Sequence, residues 1–148
     1  MSGTILHLVR RAMTSFDNSP LDEAGHEEAR LVLLEGEFEL WSSMQPRDQR
    51  HSLQVLRRFD HLRPGARRGE RAGALLHDIG KSASDLGWTG RVLATFLGPR
   101  TNRFSSYLDH EAIGARMLQD VSEAETIALV GGSSTGGAAD ALRRADEI

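Results

Sequence analysis

Apolar residues recur at helical spacing along almost the whole chain, while period-two alternation and runs of β-branched residues are nearly absent. That pattern leaves little material for a sheet, so the expected class is all-α, a bundle of helices around one core. Thr4 to Met13 reads as a short amphipathic helix carrying Ile5, Leu6, Leu8, Val9 and Met13. Asp17-Asn18-Ser19-Pro20 makes a turn, and Asp22 is placed to cap a helix through Ala24, Ala29 and Leu31 to Leu34, until Gly36 interrupts it. Phe38, Leu40, Trp41 and Met44 continue an apolar face to the Gln45-Pro46 break, where Pro46 opens another helix at its first position. Leu53, Leu56 and Phe59 form the buried stripe of that helix. His51 lies at its start, near Val55 and Arg58 by helical turns.

Arg63 to Gly69 is a loop by its Pro, Gly and charge content, and its arginines are expected to face solvent. A polar turn runs from Lys81 to Asp85, and a short apolar helix, Val92 to Leu97, is closed by Gly98-Pro99. Phe104 to Val121 reads as a helix with His110-Glu111 near its front and Gly114 permitting close packing. Ser122 with Glu125 forms a capping-box pattern for a helix through Ile127, Leu129 and Val130. Gly131 to Gly137 lacks the lysine and the flanking strand of a phosphate-binding loop, and reads as a flexible connection before a last helix, Ala138 to Ile148.

The most specific stretch is Ala72-Gly73-Ala74-Leu75-Leu76-His77-Asp78-Ile79-Gly80-Lys81, an apolar helical run that delivers a histidine and an aspartate side by side and then stops at a glycine. Neighbours on a helix point about 100° apart, so both side chains reach one point only if that point lies off the helix's side. A divalent metal ion meets that condition, since imidazole nitrogen and carboxylate oxygen suit Mn, Fe, Co, Ni and Zn. The plainer reading is a helix end, with His77 on the dipole and Gly80 in the left-handed cap position.

At 148 residues the chain fits a single domain, 1–148, with a core over 46–148 and N-terminal helices over 1–45 packed on it. The formal net charge of −3 argues against broad nucleic-acid binding. The absence of cysteine excludes disulfides and thiolate zinc sites, so a metal has to be held by His, Asp, Glu or water. Apolar stretches fall far short of the roughly 18 residues that span a bilayer, and the N-terminus lacks the features of a signal peptide, so a cytoplasmic location without membrane partners is expected.

In chain order the candidate ligands are His51, His77-Asp78, His110 and an aspartate on the last helix, in Ala141-Leu142-Arg143-Arg144-Ala145-Asp146. Together with His110-Glu111-x-x-Gly114, this ordered set resembles the HD-domain superfamily of metal-dependent phosphohydrolases over roughly Gln49 to Glu147. The resemblance implies an HD-domain-like helical bundle in which His51, His77, Asp78 and Asp146 bind one divalent ion, whether Mn, Fe, Co, Ni, Zn or Mg. Asp140 is the alternative last ligand, in a context less like the family's. A histidine in the place of His110 helps hold a second ion in one branch of the family, but no histidine follows His110 in this chain, and one ion is expected.

The implied activity is hydrolysis of a small phosphate ester, which includes nucleotides, by a metal-activated water. Asp78 then orients or deprotonates the water, Lys81 approaches the phosphate or serves as an ordinary helix-end cation, and His110 protonates the leaving oxygen if it is not a ligand. Arg50 is a weaker phosphate candidate. Two other classes compete with the enzyme: a degenerate HD domain acting as a metal- or nucleotide-binding sensor or interaction module, and a purely structural bundle.

Overall fold

The computed structural model describes residues 19–81 and 109–148. Those residues form α1 (Glu23–Arg30), α2 (Glu35–Ser42), α3 (Pro46–Leu62), α4 (Arg68–Leu76), α5 (Asp109–Leu118), α6 (Ala124–Val130) and α7 (Gly137–Glu147), with no strand among them. The expected all-α class is what they adopt. No helix among the described residues is long and apolar enough to cross a membrane. The helices expected at Thr4–Met13 and Val92–Leu97, the turns at Asp17-Asn18 and Ser82–Asp85, and the start of the helix expected from Phe104 lie outside the described residues.

α4 occupies the middle. It packs against α3, α6 and α2, while α7 lies along α3 and α5 packs on α6. Gly69, Glu70, Ala72, Gly73, Ala74, Leu75 and Leu76 are all buried, leaving only Arg68 and Arg71 partly open. Small residues make this crowding possible. A Cβ on Gly73 would stand 2.6 Å from Leu129 Cδ2, and one turn earlier a Cβ on Gly69 would meet Glu125, so α6 lies directly on the bare backbone of α4. The hydroxyl of the buried Thr126 donates to the Gly69 carbonyl at 2.9 Å and fixes the register of the two helices.

Capping explains where the first helices start and stop. Asp22 Oδ1 accepts from the Gly25 N–H at 2.9 Å, the cap expected at α1. α1 nonetheless ends at Arg30 instead of continuing to Leu34. The break comes at Leu31–Leu34, where the Leu34 N–H donates to the Glu37 carboxylate at 2.9 Å and starts α2. Gly36, expected to be the interruption, sits inside α2, where a Cβ would come within 2.7 Å of Val121 Cγ1. Pro46 does stand at the first position of α3, after Gln45. α6 is preceded by Glu123 as its N-cap with no side-chain bond, so Ser122 is not the cap its spacing with Glu125 suggested.

Two corrections concern α4. The arginines of residues 63–69, expected to be solvated, are ion-paired, although Arg67 stays exposed: Arg63 grips Glu70 with two bonds of 3.0 and 3.2 Å, Arg67 reaches Glu125 at 2.9 Å, and Arg68 reaches the fully buried Glu37 at 2.9 Å. A buried carboxylate left without a partner is expensive, and these pairs supply the partners for Glu37 and Glu70 at the N-terminal end of the central helix, while Arg71 pairs with Asp60 of α3. At the other end α4 stops at Leu76. His77 is the C-cap, 77–78 form a turn, and helical geometry resumes at 79. Gly80 is not left-handed, since among the described residues only Gly65, Gly132 and Gly136 have positive φ. It is required for another reason: a Cβ there would collide with the His110 carbonyl and approach the Gly114 amide to 2.7 Å.

Two measurements check this packing. Gly80→Ala is expected to lower unfolding free energy by about 1–3 kcal/mol in urea titrations, because relief requires backbone movement of α5. For Glu70, the Arg63 hydrogen bonds outweigh burial and, with the Arg67 N–H, hold the carboxyl below its ordinary value. Its contribution is therefore complete above the unfolded carboxyl pKa of about 4.3 and is lost as pH falls through the lower folded value. Glu70→Gln should be less stable than wild type at pH 7, with the deficit shrinking towards pH 3 in parallel unfolding curves.

Candidate metal centre

Three helices converge at the C-terminal end of α4. His51 comes from the second turn of α3, His77 and Asp78 from the turn that closes α4, and Asp146 from the last turn of α7. His51 Nε2 lies 3.0 Å from Asp146 Oδ1, His77 Nε2 lies 3.3 Å from the same oxygen, and His77 Nε2 lies 3.4 Å from Asp78 Oδ2. The two imidazole rings are 5.7 Å apart between centroids. One donor atom each from His51, His77 and Asp78 forms a group with every pair within 4.8 Å, a set that could hold a metal ion.

The spacings fit ligation. Two ligand atoms that are each about 2.1 Å from one ion stand roughly 3.0 Å apart at a right angle and 3.4 Å apart at the tetrahedral angle. The three close distances fall in that range. The chemistry of His77 adds a second argument. Its Nδ1 lies 2.8 Å from the Ala74 carbonyl, which can only accept, so Nδ1 carries the proton and Nε2 is turned towards the carboxylates. That Nε2 is buried without a hydrogen-bond partner, in a side chain only 9% exposed. An orphaned buried nitrogen, aimed between two carboxylates, is a place where a cation is stabilising.

The electrostatics agree. Burial works against a charge on His77, but the nearby Asp146 carboxylate, the charges of Asp78 and Asp146 and the Ala74 carbonyl outweigh it and raise the pKa above the ordinary histidine value. Asp146 is held well below the usual carboxylate range by His51 and then by His77, against partial burial. The carboxylates therefore favour positive charge at this point, whether a proton or an ion. Exposure rises across the group to 45% for the Asp146 side chain, so the centre opens towards solvent on the α7 side.

Of the residues singled out in the sequence, His51, His77, Asp78 and Asp146 meet. Asp140 pairs instead with Arg143 on the exposed side of α7 and is not part of the group. His110 is not in the metal-ligating set found among the described residues, although the backbone of residue 80 rests on its carbonyl. Lys81 is exposed, one turn beyond His77. Arg50 donates twice to the Ser19 carbonyl, at 2.6 and 3.0 Å. Sequence reasoning missed the orienting Ala74 carbonyl. The i to i−3 spacing at a helix end was a signal for it, because carbonyls there lack backbone donors. Comparison with models of known families, with curated proteins and with solved structures gives no match.

If the Ala74 carbonyl orients His77, long-range ¹H–¹⁵N spectra of ion-free protein, recorded well above the ordinary histidine pKa, will show His77 protonated at Nδ1. A proton on Nε2 would remove the free lone pair on which ligation depends.

Proposed function

We propose that this protein is a metal-dependent phosphohydrolase of the HD-domain kind, acting on a small phosphate ester, with nucleotides as the first substrates to try. The observation that carries the proposal is the convergence of His51, His77 and Asp78 donor atoms, with the buried Nε2 of His77 facing two carboxylates without a hydrogen bond and Asp146 alongside. Two imidazoles and carboxylate oxygen favour a borderline divalent ion. The chemistry such an ion supplies is Lewis acidity towards a phosphoryl oxygen and a lowered pKa for water.

The chain's own residues divide the remaining work. His51, His77 and Asp78 would hold the ion, with the Asp146 carboxylate beside them as a further candidate ligand on the open side. The Asp78 carboxylate would accept the proton of the attacking water. Lys81 offsets phosphate charge from the exposed end of the His77 turn, and His110 gives a proton to the leaving oxygen. Ligation requires His51 and His77 to be unprotonated at Nε2, so ion binding releases protons and strengthens as pH rises through the histidine range.

A second reading has a specific observation in its favour. The donor group leaves out His110, and no histidine follows it in the chain, which suits a one-ion module that binds without turnover. The two separate in one experiment. Purified protein is expected to retain about one divalent ion per chain by elemental analysis, and to hydrolyse members of a panel of nucleotides and phosphate esters with Mn²⁺, Co²⁺, Ni²⁺ or Mg²⁺. Asp78→Ala should lose both ion and hydrolysis. Ion retained without turnover selects the binding module, and hydrolysis unchanged in Asp78→Ala rejects the enzymatic assignment.

A further inference from the structure

His51 and Arg58 are seven residues apart on α3 and share one face. That face meets α7 at two consecutive residues: His51 Nε2 bonds the Asp146 carboxylate at 3.0 Å, and Arg58 Nη1 donates to the Ala145 carbonyl at 3.2 Å. The Ala145 carbonyl lies in the last described turn of α7 and takes this side-chain donor from α3.

The two ties to α7 are not equivalent. The His51–Asp146 bond uses the same nitrogen and oxygen that an ion would take, so it cannot hold α7 in a loaded site. The Arg58–Ala145 bond uses none of the donor atoms and survives loading. Asp146 stands on the last described turn of α7, and its side chain is the most exposed of the four. A backbone clamp one residue away is what such a ligand needs.

We infer that Arg58 is a positioning residue for the metal centre: by holding the Ala145 carbonyl it keeps the last turn of α7 against α3 and the Asp146 carboxylate beside His51 and His77. The inference rests on the reading of those residues as an ion site and adds to it a residue that touches no ligand atom. Loss of an orienting partner of this kind weakens metal binding by about 10- to 100-fold.

Calorimetric titration with Co²⁺, together with amide hydrogen exchange of the ion-free protein, tests it. Arg58→Ala is expected to weaken Co²⁺ binding about 10- to 100-fold and to speed exchange in the last turn of α7, with amides of α4 and α6 unchanged. Arg58→Lys, which keeps a cation able to reach the carbonyl, should recover most of the affinity. Arg58→Gln takes the place of the alanine variant if that one does not fold, with a loss in the same range expected. Added to Asp146→Ala, the Arg58 substitution should cost nothing further, because its effect runs through Asp146; two losses that multiply independently would overturn the role. Wild-type protein that binds Co²⁺ beside an Arg58→Ala variant binding equally well overturns the role of Arg58 alone, whereas wild-type protein that takes up no Co²⁺ overturns the ion site and this role with it.

Discussion

Burial of α4 on nearly every side is the constraint from which the rest of the structure follows. A nine-residue helix wedged among α2, α3 and α6 has no free flank on which to carry polar side chains, so its polarity is pushed to its ends. At the N-terminal end this produces the ion pairs of Arg63 and Arg67 with Glu70 and of Arg68 with Glu37. At the other end it leaves His77 as the C-cap and Asp78 beside it, at the point where α3 and α7 pass. The close approach that allows this depends on glycine: Gly69 and Gly73 under α6, and Gly80 against the backbone of α5.

The electrostatics of the centre follow from the same placement. A fully solvated histidine between two carboxylates would titrate near its usual pH, and water would screen the pair. Here the imidazole is almost enclosed, its Nδ1 is committed to the Ala74 carbonyl, and its Nε2 faces Asp78 and Asp146. Removing water raises the cost of leaving those carboxylates uncompensated, and positive charge between them becomes the stabilising arrangement. Against its burial, the same carboxylates raise the pKa of His77 above the ordinary histidine value. A metal ion held there would compete with protons for the imidazole nitrogens, which would couple its binding to pH.

Much of the helical content could be read directly from residue spacing, because an amphipathic helix writes its buried face into its own segment. Leu53, Leu56 and Phe59 all lie in the core, Pro46 stands at the start of α3, and Asp22 caps α1. Errors came where a remote partner overruled a local rule. Gly36 suggested a break because glycine is a poor helix former, yet it is tolerated inside α2 by its contact with Val121. Gly80 suggested a left-handed cap, yet its need for hydrogen in place of Cβ comes from α5, about thirty residues on. Arg67 and Arg68, in the stretch 63–69 read as a solvated loop, have partners in Glu125, Glu37 and Glu123 that are distant in sequence.

The same division runs through the candidate site. The sequence by itself determined the donor types, their order and the absence of thiolate, and these limit the chemistry to imidazole and carboxylate ligation. It also determined that His77 and Asp78 leave the end of an apolar helix together. Only the tertiary structure decided that His51 and Asp146, ninety-five residues apart, share an oxygen-to-nitrogen contact, that Asp140 faces away, and that Arg58 holds the neighbouring carbonyl. The physical reason is that helical periodicity encodes which face of a segment is apolar, whereas the meeting of α3, α4 and α7 depends on side-chain volumes and ion pairs supplied by other segments.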